Sequence, residues 1–336
     1  MTQEQVSGGP RVSRRHAMAL GGAVAGLLST PGLARAQAFP SRPIRIVVPW
    51  TPGGSTDTPT RIVAAEMAKA LGQPVVVENR PGAAGAIGME HIARAVPDGY
   101  SWGLGGVGNL AVLPKLNPRL GYVPARDFVY AAFVNVLEFV LVARPGLPAR
   151  TVGEVVALAK ADPGKLTYGS AGRASSYQLS FEGFKLRAGI NVLEIPFQGD
   201  APLLNEMMAG RLDLAIMSLS SVQQLVAGGQ LRLIATCGER RGAASPDVPT
   251  IAEQGYPGYV ARSWSVLAAP AGTPEAAQQA INAAAQAATR QPELQQRLAA
   301  TGMSTEPMDL ATVRRFVADE IAEFSTLIDR IGLRPE

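Results

Sequence analysis

From residue 44 onward, short apolar runs closed by proline or glycine alternate with longer stretches in which apolar residues recur every three or four positions. Ile44, Ile46, Val47 and Val48 form the first run, stopped by Pro49 and Pro52, and predict a buried strand. Residues 58–71 then read as a helix with Ile62, Ala65, Ala68 and Leu71 on one face and Gly72 as its stop; Pro59 is tolerable because it falls in the first turn. A second strand over 75–78 leads through a loop spaced by Gly85 and Gly88 into a helix, and Pro97-Asp98-Gly99 makes a turn. Strand, helix, strand, helix predicts a parallel α/β sheet.

The same alternation continues. Strands are expected over 100–104 and 139–143, after which Pro145 and Pro148 break the chain. Thr151 and Glu154 form a capping box for a helix to residue 161. Further strands at 166–168, 192–196, 212–217 and 231–236 are separated by helices at 177–188, 201–209 and up to 227. A strand at 265–269 returns to the first domain, since Thr273 and Pro274 then open an alanine-rich helix on its N-cap and N1 positions. Helices from 292 and over 309–331 follow. With 336 residues the chain has the length of two ordinary domains. The reading is one lobe of residues 39–143 plus 262–336 and a second lobe of 144–261.

Two loops in this pattern carry candidate chemistry. After the first strand, Gly53 and Gly54 allow a sharp turn and close backbone approach, and Ser55, Thr56 and Asp57 are good N-cap residues. Free N–H groups and the positive end of a helix dipole then point at one spot, which suits an anion. The nucleotide pattern GxxxxGK[ST] is missing and no lysine lies near, so a carboxylate is favoured over a phosphate. Residues 169–176, GSAGRASS, repeat the design, with the hydroxyls of Ser170, Ser175 and Ser176 and the fork of Arg173.

Composition and charge narrow the class. The chain is 47% hydrophobic and 17% charged with 36 Gly and 26 Pro, a loop-rich globular makeup. The net charge of +4 is concentrated in the first 38 residues, where Arg11, Arg14, Arg15 and Arg35 face Glu4 alone, so it is no argument for nucleic acid. Ser13-Arg14-Arg15, the apolar residues 17–28 and small residues ending at Ala36 or Ala38 describe a cleaved secretory signal of twin-arginine type, too short to span a bilayer. No cysteine sits there for a lipid anchor. The lone cysteine, Cys237, is expected as a buried thiol in a strand.

Catalytic groups are scarce. Without the signal, His91 and Cys237 are the only imidazole and thiol, which argues against zinc clusters and Cys–His catalysis, and no GxSxG occurs. His91 reads as a surface residue. Asp57 and Asp200 are read as loop-ordering groups, since exposed negative charge would harm a carboxylate site. Gly103, Gly105 and Gly108 fit GxGxxG, but this is not the first βα turn, and Pro114 and Pro118 interrupt the stretch where a phosphate-binding helix should run. A ligand-facing loop is the better use of these glycines. An exported α/β chain with no cofactor, no metal and no catalytic set reads as a binding protein.

The ordered set PWTPGGSTD (49–57), VVVENRPGAAGAIG (75–88), PDGY (97–100), GSAGRASS, PFQGDAP (196–202), GRLDL (210–214), PDVPTIAEQGYPGY (246–259) and APAGTP (269–274) resembles the tripartite tricarboxylate transporter substrate-binding family, the Bug receptors. The resemblance spans about residues 40–330. It implies an α/β fold of the type II periplasmic binding protein kind, a monomer whose two lobes shut on a small carboxylate before passing it to membrane permease subunits. A sensory partner in place of the permease stays open. It further implies that Pro52, Gly53, Gly54, Ser55, Thr56 and Asp57 hold one carboxylate with Ser170, Gly172, Ala174, Ser175 and Ser176. Gly106, Gly108, Asn109, Gly199 and Asp200 would line the rest. Trp50 replaces the usual phenylalanine, Arg173 a small or polar residue, Gln178 a frequent histidine and Pro59 an aliphatic residue. The indole favours a flat or apolar ligand body and Arg173 a second carboxylate, so the ligand stays open.

Overall fold

A computed structural model describes residues 39–53, 56–242 and 245–335. The expected signal segment and the loop residues Gly54 and Ser55 lie outside the described residues. Ten strands are present among them: β1 (Ile44–Val48), β2 (Val75–Asn79), β3 (Ser101–Gly106), β4 (Phe128–Ala143), β5 (Thr167–Ser170), β6 (Leu193–Pro196), β7 (Leu214–Ser218), β8 (Arg232–Thr236), β9 (Arg262–Pro270) and β10 (Met303–Ser304). The main helices are α1 (Asp57–Leu71), α2 (Ala86–Ala93), α3 (Val152–Ala161), α4 (Ser176–Ala188), α5 (Asp200–Met208), α6 (Leu219–Ala227), α7 (Glu275–Thr289), α8 (Pro292–Ala299) and α9 (Leu310–Arg330).

The strands lie in the order β2-β1-β3-β9-β4-β7-β5-β6, with β8 and β10 also on β4. The expected parallel pairing holds at the two ends, β2-β1-β3 and β7-β5-β6. The centre is antiparallel, because β9 runs against both β3 and β4, and β4 against β7 and β8. β4 is the joining element. Its residues from Phe128 to Glu138 pair with β9, and Phe139–Ala143 pair with β7. The sequence reading found only 139–143, because Asn135 and Glu138 interrupt the apolar run.

Alternation along the strands builds two cores on the two faces of the first sheet. Ile46, Trp102, Leu104 and Leu267 pack with Val63 and Met67 of α1 and with Ile281, Ala284 and Ala288 of α7. Val47, Trp264, Val266 and Ala268 face the other way, onto Met89 and Ile92 of α2 and Val313, Val317 and Ile328 of α9. A third core surrounds Phe139–Ala143 with β5, β7, β8 and the helices between them. On α7, small side chains let the helix lie close to α1, and buried Asn282 donates to the carbonyls of Ala131 at 2.8 Å and Met308 at 2.9 Å.

Several local expectations need correction. The buried stripe of α1 is Thr60, Val63, Ala64 and Met67; Ala65 is exposed and Ile62 and Leu71 are half-buried. The helix offers two neighbouring apolar stripes, and the sheet and α7 cover the other one. At α7 the N-cap is Pro274, and the Thr273 hydroxyl donates to Pro270 O at 2.8 Å instead of capping. Cys237 is buried as expected but lies one residue past β8, its N–H on Phe139 O; burial pushes its thiol pKa up.

The capping box at α3 forms as read: Thr151 Oγ1 accepts from Glu154 N at 3.2 Å, and Glu154 Oε2 accepts from Thr151 N at 3.1 Å. Thr151→Ala should cost about 1 kcal/mol. Thermal denaturation should show this as a drop of about 2–4 °C in Tm.

Candidate functional site

The chain leaves β1 through a loop fixed by one buried carboxylate. Asp57, 2% exposed, accepts hydrogen bonds from Gly53 N at 2.9 Å, Arg61 Nε at 3.0 Å and Asn79 Nδ2 at 2.8 Å. Asn79 Nδ2 also donates to Trp50 O at 3.1 Å, and Arg61 Nη2 donates to Asn79 Oδ1 at 2.8 Å. Burial alone would raise the Asp57 pKa, but Arg61, the Gly53 N–H and Asn79 outweigh it and hold the carboxyl below its ordinary range. Thr56 is the N-cap of α1 and makes no side-chain cap bond, so the orphan N–H satisfied here belongs to the preceding turn. Gly53 takes φ +77°, the left-handed conformation that favours glycine.

The second loop is held by a different carboxylate. Ser170, fully buried at the end of β5, donates to Glu194 Oε1 at 2.6 Å, and Gly172 N reaches Ser170 Oγ at 3.4 Å. Gln178 bridges the loop to Glu194: its Oε1 accepts from Ala174 N at 2.6 Å while its Nε2 donates to Glu194 Oε2 at 2.8 Å. This supports Ala174 at φ +59°, a strained value for a residue with a Cβ. Ser175 is the N-cap of α4 and accepts from Gln178 N at 3.2 Å. Arg173 Nη2 donates to the backbone carbonyl of Arg334 at 2.5 Å.

Beyond β3 the structure has a π-helical segment, Val107–Val112, where a loop was expected. Asn109, fully buried, accepts from Gly106 N at 2.8 Å and donates to Leu104 O at 3.3 Å, so its amide pins the strand end. The glycines of β3 serve packing. A Cβ at Gly103 would meet Ile92 at 2.8 Å, one at Gly106 would meet the Trp264 carbonyl at 2.6 Å, and one at Gly105 would overlap Leu110. Gly108, by contrast, has open space around it. Asp200 opens α5 and accepts from Ser221 Oγ at 2.5 Å and Tyr177 OH at 3.3 Å, next to Gly199 at φ +101°.

A cavity of about 660 Å³ gathers part of the expected set: Trp50, Gly108, Arg173, Ala174, Ser175 and Ser176. Pro52, Gly53, Thr56 and Asp57 do not line it, nor do Gly106, Asn109, Ser170, Gly172, Gly199 and Asp200. Most of the latter support the loops that do. The sequence reading missed Arg119, Ser263 and Arg334, and the apolar wall of Val107, Val112, Leu113 and Leu116. Arg119 follows Asn117-Pro118 in an irregular turn and Arg334 follows the last helix, so neither sat in a recognisable motif. The residues lining the cavity thus include three arginines, Arg119, Arg173 and Arg334, and no Asp or Glu among the described ones.

A second cavity, of about 750 Å³, lies between α4, the start of β9 and α9. There Arg187, Arg262 and Arg330 face Glu239, Glu320 and Glu323, and Arg262 is already bonded to Glu320 at 2.9 Å and Glu239 at 3.3 Å. The Arg262 charge there is compensated within the protein. His91 is partly exposed on α2; burial and then Arg80 lower its pKa. No group of three His, Cys, Asp or Glu among the described residues is placed to hold a metal ion, and no helix among them is long and apolar enough to cross a membrane.

A mixed sheet with helices on both faces is the fold of the periplasmic solute-binding proteins. The chain is similar to Rpa4515 of R. palustris, solved with adipate (31% identity, 89% of this chain and 100% of that one, TM-score 0.75), and to the periplasmic binding protein BugD (30%, 89% and 100%, 0.70). It is also similar to MatC of Rhodopseudomonas palustris, solved with malate (30%, 86% and 100%, 0.69). Residues 60–333 match the tripartite tricarboxylate transporter family receptor, and the chain belongs to that family, whose members are solute-binding receptors and not enzymes.

Proposed function

We propose that this chain is a periplasmic receptor that takes up a small dicarboxylate in the 660 Å³ cavity and delivers it to the permease subunits of a tripartite transporter. The observation that carries this reading is the lining itself, where Trp50 and an apolar wall meet Ser175 and Ser176 at the N-terminal end of α4, with three arginines among the described lining residues. One carboxylate would meet the N-terminal end of α4, where Ser175, Ser176 and the helix dipole favour an anion. The carbon chain would lie against Trp50 and the apolar wall. Arg119, Arg173 and Arg334 then suit a second carboxylate, which resolves the opposing pulls of Trp50 and Arg173 toward a dianion with an apolar spacer. The bound adipate and malate of the two R. palustris proteins are ligands of that kind.

The proposal includes export on the twin-arginine signal, a monomer, and closure of a lobe of residues 39–143 plus 262–336 on one of 144–261. Supporting the closure, β4 changes partner between Glu138 and Phe139 and the chain recrosses at Arg262, so few strands would have to bend. Gly54 and Ser55 keep their proposed place as donors to the first carboxylate. A sensor in place of the permease would use the same site.

Calorimetry on the mature chain tests the reading. Adipate or malate should bind with a heat that weakens as salt is raised, because partly exposed charges are screened. Dinucleotides should give none; binding of a dinucleotide with no response to any dicarboxylate would overturn the proposal. Ser176→Ala should weaken binding by about 0.5–1.5 kcal/mol, the net worth of one hydrogen bond.

A further inference from the structure

The turn that feeds α4 is held in a conformation its own residues do not favour. Ala174 sits at φ +59°, the left-handed region in which a Cβ crowds the following carbonyl, two residues after Gly172 at φ +102°. Ser175 N turns back onto Gly172 O at 3.2 Å, so the chain enters the helix directly from a tight turn. Ser175 Oγ accepts from Gln178 N, while the N–H groups of Ser176 and Tyr177, which open the helix, find no acceptor within it. Where those groups point depends on the turn before them.

A chain of side-chain bonds holds that turn at both ends. Gln178, 8% exposed, folds back from the first turn of α4: its Oε1 accepts from Ala174 N at 2.6 Å and its Nε2 donates to Glu194 Oε2 at 2.8 Å. Only one orientation of the amide serves both neighbours, because a backbone N–H can only donate and a carboxylate can only accept. Glu194 Oε1 in turn accepts from Ser170 Oγ at 2.6 Å, and Ser170 Oγ accepts from Gly172 N at 3.4 Å. The bonds therefore run from the start of the turn across to β6 and back to its end. Glu194 is not among the residues lining the cavity, and its negative charge behind an anion site would by itself oppose the ligand. Its charge and its hydrogen bonds thus make opposite predictions for binding.

We infer that Gln178 and Glu194 are positioning residues for the ligand carboxylate that meets the N-terminus of α4: they keep Ala174 left-handed, and with it Ala174, Ser175 and Ser176 on the cavity wall. This rests on the receptor reading above and adds to it the device that keeps the anion cradle formed.

The test titrates adipate and malate by calorimetry into the mature chain and its variants, each checked for the parent fold by circular dichroism. Glu194→Ala should weaken the better-bound of the two by about tenfold or more, although loss of a negative charge near an anion site would on its own tighten it. Glu194→Gln, whose side-chain oxygen still accepts from Gln178, should recover most of that loss. Gln178→Met, which keeps the length of the side chain and removes both bonds, should also lose about tenfold or more. Adding Ala174→Gly to Gln178→Met should regain about threefold or more, and more than the same change gains in the parent, because glycine takes the left-handed form without the bridge. A Gln178 that served only the stability of the fold would show no such rescue. If Glu194→Ala does not fold, the Gln178→Met pair decides alone. Affinities within about twofold of the parent in the folded variants that lack the bridge, or a Gln178→Met defect that Ala174→Gly leaves as it was, would overturn the inference and leave the receptor reading standing. A mature chain that binds neither dicarboxylate would overturn both, and that result is visible before any variant is made.

Discussion

Glu320→Ala is expected to lower the unfolding free energy by about 3–5 kcal/mol, the cost of removing one partner from a buried ionic network. Glu320 sits on the face of α9 that meets β9, 9% exposed. Its two oxygens serve different groups: Oε1 accepts from Arg262 Nη2 at 2.9 Å and Oε2 from Trp264 Nε1 at 2.5 Å. Trp264 is 1% exposed and has no room to turn its indole N–H to water. Arg262 keeps its longer contact with Glu239 at 3.3 Å and lies 5.4 Å from the Phe316 ring centroid, so some of its charge stays compensated. Alanine would leave the indole N–H and much of the guanidinium desolvated and unpaired. Glu320→Gln keeps an acceptor for one of them and should lose clearly less. Guanidinium unfolding monitored by circular dichroism reads the difference, with the midpoint shifted and the slope unchanged. A Glu320→Ala midpoint equal to that of the parent would mean the network contributes nothing.

The same contact shows why part of this fold was legible in the sequence and part was not. Short strands flanked by glycine or proline, such as β1 and β5, announce themselves, and so do caps such as Thr151 with Glu154, because those signals are local. β9 was cut short in the reading because it starts on Arg262 and Ser263, and β4 because Asn135 and Glu138 interrupt its apolar run. Glu138 and Arg262 face each other in the register of β4 with β9, a pairing that no local pattern encodes. Antiparallel pairing in the centre of the sheet likewise depends on which distant strand returns. At the site, the loop at 169–176 and Trp50 were visible as motif and position. Arg119, Ser263 and Arg334 were not, since each reaches the cavity only through tertiary packing: Ser263 through β9, and Arg334 through the packing of Ile331 and Leu333 after α9. The glycines of β3 were visible but their use was not. What demands glycine at residues 103, 105 and 106 is Ile92, Leu110 and the Trp264 carbonyl, all remote in sequence or on the next turn.

Asp57→Ala should weaken dicarboxylate binding by tenfold or more, although Asp57 does not itself line the cavity. Its carboxylate holds Gly53 N, Arg61 and Asn79, and Asn79 in turn holds the Trp50 carbonyl, so one side chain fixes the turn between the cavity's indole and the start of α1. Alanine would leave buried donors without an acceptor, at a cost of about 1–3 kcal/mol, and would free a glycine turn whose order the site depends on. The pH dependence gives an independent check. The folded pKa of Asp57 lies below its ordinary value of 3.8, so the stabilisation it supplies is fully present above that value and is lost as pH falls through the lower, folded one. Asp57→Ala should therefore be less stable than the parent at pH 7, with the gap closing below about pH 4. Glu138 and Glu323, whose carboxyls burial raises, act with the opposite sign in both proteins and cancel in the difference. Asp57→Asn keeps an acceptor oxygen without the charge and should fall between the two in affinity while lacking the acid-dependent step. Chemical denaturation at a series of pH values, with calorimetry at pH 7, measures both effects. A gap that stayed constant down to pH 3, or an alanine variant that bound its dicarboxylate like the parent, would remove Asp57 from this role.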